Sequence, residues 1–207
     1  ERETLETTPV NYTIVNDTNN NGIADIGDEI QVKGTKENFY VISTGVGSTV
    51  NALAKYNLNV GNNKIDGIEG IQNKNSIGWN SAGKSPYAGV IAFSNISGWE
   101  YKNNNDIDVQ LYDGPVKTAI NNYKNILVNI TNIRLITKRE LENLGCDSSI
   151  NFCSNAPSWI YSTTYWVGTS LSSNANYVWD VASNSGFGSN PFDYDEHIGV
   201  RPVITIS

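Results

Sequence analysis

Apolar positions recur along this chain with two periods, and the change from one to the other divides it. In "EIQV" and "FYVIST" they alternate: Phe39 and Val41 fall on one side, Tyr40 and Ile42 on the other. Successive side chains of a strand point to opposite faces, so these stretches predict strands. "TGVGST" interrupts the alternation as a hairpin turn, and "VNALAKYNL" returns as the next strand. Residues 61–85 are rich in Gly and Asn, keep no steady period and predict long loops. "YAGVIAFS" predicts a buried strand, and "SGWEYKNNNDIDVQLYD" a further polar loop.

The period then lengthens. In "GPVKTAINNYKNILVNI", Val116, Ala119, Ile120, Tyr123, Ile126 and Leu127 recur at helical spacing, and Pro115 suits a first helical turn. A helix is predicted near 114–128. "TKRELENLGC" predicts a second over 137–145: Thr137 as N-cap, Glu140 completing a capping box, Leu141 and Leu144 as the apolar face, Gly145 as the stop. "SWIYSTTYWVGTS", "NYVWDVAS" and "VRPVITIS" are aromatic and β-branched, and predict three more strands. Helices and strands that do not alternate regularly make an α+β plan. Residues 1–16 carry mixed charge and are assigned to an N-terminal linker. Residues 17–207 are assigned to a single domain.

Composition narrows the partners. Net charge is −7 over 207 residues, and no basic cluster exceeds two or three residues, so nucleic acid is not expected. No apolar run reaches the length of a membrane span. The chain opens at Glu1, which is taken as a mature chain whose leader or anchor has been removed. Abundant Asn, Ile, Lys and Tyr with few Arg point to an AT-rich genome, that of a low-GC bacterium. The only cysteines, Cys146 and Cys153, stand in "CDSSINFC". A disulfide there contributes roughly 2–3 kcal/mol by loop entropy and fits an exported protein. The alternative is a pair of free cytosolic thiols.

"RLITKRELENLGC", "PSWIYSTTYWVGTS", "YVWDV" and a terminal "GVRPVITI" follow one another in this order. The series resembles Firmicutes-type bacterial surface domains with a C-type-lectin-like fold, and distantly the formylglycine-generating-enzyme branch of that fold. Arg134, Leu135, Thr137 and Glu140 match the branch's helix motif, and Gly199, Arg201 and Pro202 match its closing strand. The resemblance implies a C-type-lectin-like α+β domain with two helices, short antiparallel strands and long loops. That branch keeps its reactive cysteines near the C-terminal strand. Here they follow the second helix, so oxidase chemistry is not expected. No "EPN" triplet occurs, and Trp179-Asp180 only partly echoes the "WND" triplet of sugar-binding lectins. Arg201, inside an apolar strand, is expected to pair with buried carbonyls or a carboxylate.

"NDTNNNGIADIGDEI" carries a separate chemistry. Counted from Asp17, it reads D-x-N-x-N-G-x-x-D-x-x-D, close to a calcium loop. Asp17, Asn19, Asn21, Asp25 and Asp28 would supply side-chain oxygens and Ile23 a carbonyl, while Gly22 permits the sharp turn. The flanks "NYTIV" and "EIQV" read as strand where the usual loop has helices, and position 12 is Asp where Glu is usual. Such a calcium ion would be structural, holding the N-terminal segment to the body. The alternative is an Asn/Asp-Gly hairpin without metal.

Asp193, Asp195, Glu196 and His197 are read as a solvated loop, and the single His leaves a Ser–His–Asp triad poorly supported. The tryptophans are expected mostly in the core. Aromatics mixed with Asn, Ser and Gly over 159–197 predict a ligand surface, with Tyr165, Trp166, Tyr177, Trp179, Phe192 and Tyr194 as candidates. The expected function is a non-enzymatic extracellular binding or adhesion domain on a bacterial surface, its ligand a host or bacterial glycan or protein. A structural head of a pilin-like appendage is the alternative, and a formylglycine-generating-type enzyme a second.

Overall fold

The computed structural model describes residues 10–79, 114–171, 174–191 and 197–207, with backbone alone for 174–176. The predicted strand "YAGVIAFS" and the loop over 97–113 lie outside the described residues. Within them the chain runs β1 (Tyr12–Asn16), β2 (Glu29–Val32), β3 (Asn38–Thr44), β4 (Val50–Ala54), α1 (Pro115–Ile126), β5 (Ile130–Leu135), α2 (Lys138–Asn143), a 3-10 turn (Ser158–Tyr161), β6 (Tyr165–Leu171), β7 (Asn174–Val181), β8 (Phe187–Pro191) and β9 (Pro202–Ile206). The strands form a six-stranded sheet, ordered β1-β2-β3-β4-β9-β5, and a three-stranded sheet, β6-β7-β8, with every strand pair antiparallel. Two helices and largely antiparallel sheets make an α+β protein.

The alternation in β2 and β3 becomes two buried faces. Ile30, Val32, Phe39, Val41, Ala52, Ile204 and Ile206 enter one core, with Val116, Ala119, Ile120 and Tyr123 of α1. Ile42, Leu53 and Val203 enter a second core, with Leu141 of α2 and with Val167, Trp179, Val181 and Phe187 of the small sheet. The large sheet is therefore sandwiched. Apolar burial of this kind contributes about 25 cal/mol per Å2. Cys146 and Cys153 are joined by a disulfide inside the second core.

α1 begins at Pro115, whose fixed φ suits that position and which has no N–H to leave unpaired. α2 carries the capping box: Thr137 Oγ1 accepts from the Glu140 N–H at 2.9 Å, and the Thr137 N–H donates to Glu140 Oε1 at 3.1 Å. Gly145 ends it at φ 113, where an added Cβ would meet the Asn155 carbonyl oxygen at 2.8 Å.

Three expectations change. The linker assigned to 1–16 gives way at Tyr12. Tyr12–Asn16 form edge strand β1, with Tyr12 in the core, its hydroxyl donating to the Ser48 carbonyl at 2.6 Å, and the Asn11 N–H donating to Ser207 O at 3.1 Å. "SWIYSTTYWVGTS" is not one strand, because Ser158–Tyr161 coil into a 3-10 turn before β6. β5 and β8 are additional strands. A register shift between Ile130 and Asn132 breaks the period-two signal of β5, and β8 buries only Phe187.

Candidate functional site

The loop between β1 and β2 closes on itself through the residues the calcium pattern selects. The Gly22 N–H donates to Asp17 Oδ2 at 2.7 Å, and the Ile23 N–H to Asn21 Oδ1 at 3.0 Å. Asn19 and Asn21 both donate Nδ2–H to Asp25 Oδ2, at 2.9 and 2.7 Å. Asn20 (φ 55) and Gly22 (φ 75) take the left-handed backbone that turns the chain inward. Asp17 Oδ1 is buried and takes no hydrogen bond. A buried carboxylate oxygen ordinarily has a partner, and this one belongs to position 1 of the loop.

Asp28 is placed differently from expectation. It is fully buried, its Oδ1 accepts from the Thr18 N–H (2.9 Å) and hydroxyl (2.6 Å), and its Oδ2 accepts from the Asp25 N–H (2.9 Å). Burial pushes its pKa up, but these hydrogen bonds outweigh that and hold it below the usual carboxylate range. Asp28 is thus a pin that shapes the loop. Among the described residues, no three His, Cys, Asp or Glu side chains gather as a ready-made metal cluster. A cation here would draw on a mixed set, with Asp17 Oδ1 as its least engaged oxygen and Asn amide and main-chain oxygens beside it.

The six candidate ligand residues divide. Tyr165 and Trp166 are fully buried and Trp179 is 7% exposed, because β6 and β7 lie between the two cores. Rings buried to this degree offer no face to a ligand, so these three are removed from the surface. Tyr177 is half-buried. Phe192 and Tyr194 lie outside the described residues. The Tyr165 hydroxyl donates to the Ile160 carbonyl at 2.7 Å, and burial pushes its pKa up to about 12. Asp180, buried beside Trp179, accepts from Asn190 Nδ2–H, and burial raises its pKa to about 6.

The partly exposed aromatics gather elsewhere. Tyr40 of β3 stacks on Trp159 of the 3-10 turn, ring centroids 4.8 Å apart and planes at 20°. Lys55 Nζ lies 5.6 Å from the centre of the Tyr56 ring and pairs with Glu29 Oε1 at 2.9 Å. Tyr40, Tyr56, Trp159 and Tyr161 are all half-buried. Arg201 supports this surface from within. Its guanidinium donates to the carbonyls of Ala54 (2.5 Å), Lys55 (3.3 Å), Trp159 (2.8 Å) and Ile160 (3.2 Å), and sits 5.1 Å from the Tyr165 ring centre. The sequence reading had the right type of partner for Arg201. It missed the Tyr40–Trp159 pair because the partners are far apart in sequence and come together only through the packing of the 3-10 turn on β3.

His197 is exposed at the rim of a polar cleft of about 420 Å3, lined also by Asn57, Ser76, Thr163, Thr164 and Ser183. Asp193, Asp195 and Glu196 lie outside the described residues. A second groove, of about 810 Å3, runs between β1, the 22–25 turn and the β3–β4 turn. Among the described residues, no helix is long and apolar enough to cross a membrane. No family model, curated protein or solved structure matches this chain.

Proposed function

We propose that this chain is a non-enzymatic binding or adhesion domain displayed on a bacterial surface, its ligand a glycan or protein, and that it has the C-type-lectin-like fold its motifs resemble. The observation that carries the reading is the partly exposed Tyr40–Trp159 stack, beside Tyr56 and Tyr161. Flat aromatic faces offer apolar area at low entropic cost, and neighbouring polar groups orient a polar ligand. Arg201 and the sandwiched sheet hold this platform rigid, which reduces the ordering cost of binding. The buried disulfide suits an oxidising compartment. The 17–28 loop is assigned a structural calcium ion, with Asp17, Asn19, Asn21, Asp25 and the Ile23 carbonyl as its oxygens and Asp28 shaping the turn.

The test is a glycan and host-protein array on the purified domain, followed by Tyr40→Ala and Trp159→Ala on any ligand found. Each should weaken binding about tenfold, a loss of roughly 1.4 kcal/mol, while circular dichroism stays that of the folded domain. Unchanged affinity in both variants would refute the surface assignment. An array silent in both classes would count against the binding reading itself.

A further inference from the structure

Three adjacent strands place a lysine, an asparagine and a glutamate on one face of the large sheet. Gln31 of β2 lies directly opposite Asn38 of β3, and Glu29 lies two residues along on the same face. The Phe39–Ala54 register continues to Asn38 and Lys55, and the Lys55 N–H donates to the Asn38 carbonyl at 2.9 Å. Directly opposed residues have Cβ atoms about 5 Å apart, within reach of a lysine chain folded back on its neighbour.

The side chains converge. Glu29 Oε1 accepts from Lys55 Nζ at 2.9 Å, and Glu29 Oε2 accepts from Asn38 Nδ2 at 2.8 Å. One carboxylate therefore holds an amine and an amide nitrogen together. Gln31 Nε2 donates to Asn38 Oδ1 at 2.9 Å, so the amide is gripped at both ends. The cluster is largely shielded: the Glu29 side chain is 14% exposed and that of Lys55 27%. A simple ion pair requires neither the asparagine nor its polarised carbonyl. A lysine ammonium resting on the carboxylate that can take its proton, and an electrophilic carbon with a donor on its oxygen, are the parts of an acyl transfer.

We propose that Lys55 and Asn38 join after folding in an intramolecular amide bond, with Glu29 as the catalytic proton carrier. Glu29 takes one proton from the Lys55 ammonium. The freed amine attacks Asn38 Cγ, and negative charge develops on Oδ1 against the Gln31 N–H. Glu29 then gives its proton to Nδ2 and takes the second proton from Nζ as the Cγ–Nδ2 bond breaks. The products are an Nζ–Cγ amide and ammonia, which leaves as ammonium with the proton last held by Glu29. Nothing is oxidised or reduced, and no co-reactant is needed. The bond would be a covalent rung between β3 and β4, at the end of the hairpin away from its turn.

Mass tests this directly. The intact wild-type chain, purified folded and then reduced and denatured, should weigh less than its sequence by one ammonia. Trypsin should fail to cut after Lys55, leaving a 37–64 peptide that carries the deficit and gives no fragment ions from breaks between Asn38 and Lys55. Lys55→Arg, which keeps the charge beside Glu29, and Glu29→Gln should both restore the full mass. Asn38→Asp should give the same linked product by losing water. A wild-type mass equal to the sequence, with a released peptide ending at Lys55, would overturn the proposal. So would an ammonia deficit mapped to Asn21-Gly22, where a cyclic imide could form. A linked Glu29→Gln chain would remove Glu29 from the step. None of these results depends on whether the domain binds a ligand.

Discussion

Arg201 shows how one side chain can hold two regions of the molecule together. It is fully buried, and its guanidinium is satisfied by four main-chain carbonyls, two at the end of β4 and two in the 3-10 turn. Burial lowers its pKa from the ordinary value. Arg201→Met should remove the donors and leave several buried acceptors without partners, a loss of at least about 3 kcal/mol in urea unfolding. A loss below about 1 kcal/mol would mean that the carbonyls find other donors. Asp180 acts in the opposite direction. Burial raises its pKa from 3.8 to about 6. The folded state therefore holds a proton that the unfolded chain has released across that interval. The stabilisation is complete below the unfolded value and is lost as pH rises toward the folded one. Asp180 should thus cost up to about 3 kcal/mol by neutral pH, relative to acid. Asp180→Asn should flatten that part of the stability–pH curve. An unchanged slope between the two pKa values would show that Asp180 is not its source.

Elements are joined by the same economy of polar groups. Glu140 closes the capping box of α2, and its two carboxylate oxygens also receive Arg134 of β5, at 2.6 and 3.0 Å. Thr137→Ala should cost about 1 kcal/mol, the usual worth of such a cap. Glu140→Ala should cost more, because it also strands Arg134. Equal losses in denaturant melts would show that the strand–helix link contributes nothing. This explains why "RLITKRE" was legible: its residues specify a local arrangement of strand end, cap and first helical turn. "GVR" is similar. A Cβ on Gly199 would fall 2.2 Å from Asn57 Nδ2, so close packing demands glycine there. Helices, hairpin and disulfide could be read because each is set by neighbours in sequence. The bulged β5, the nearly apolar-free β8 and the 3-10 turn could not, since long-range pairing overrides their local pattern. Tyr165, Trp166 and Trp179 were placed on the surface for a related reason, and each is buried. Aromatic composition over 159–197 does not say which face of a strand a ring takes, and Tyr165 and Trp166 both turn to cores because the strand is covered on two sides.

At the scale of the whole molecule, the 17–28 loop connects the edge strand to the body. β1 brings Tyr12 into the first core and sets Asn11 against Ser207, so the start of the described chain lies beside its end. The loop is already folded by Gly22, Asn21 and Asp28, which lowers the entropy a cation would have to remove. Asp17 is the informative residue. One of its oxygens is spent on the Gly22 N–H and the other is buried without a hydrogen bond. If that oxygen serves a calcium ion, calorimetry should show binding that Asp17→Ala abolishes. Calcium should also raise the melting temperature of the wild type, since a ligand at a hundred times its Kd stabilises by about 2.7 kcal/mol. Magnesium should do less, because it demands tight octahedral geometry and parts reluctantly with water. Asp17→Asn separates the two roles of the side chain: it can still accept from Gly22, so the calcium-free stability should change little while the calcium response falls. A wild-type melting temperature that does not move in millimolar calcium would leave the loop a hydrogen-bonded turn, with Asp17 serving only Gly22.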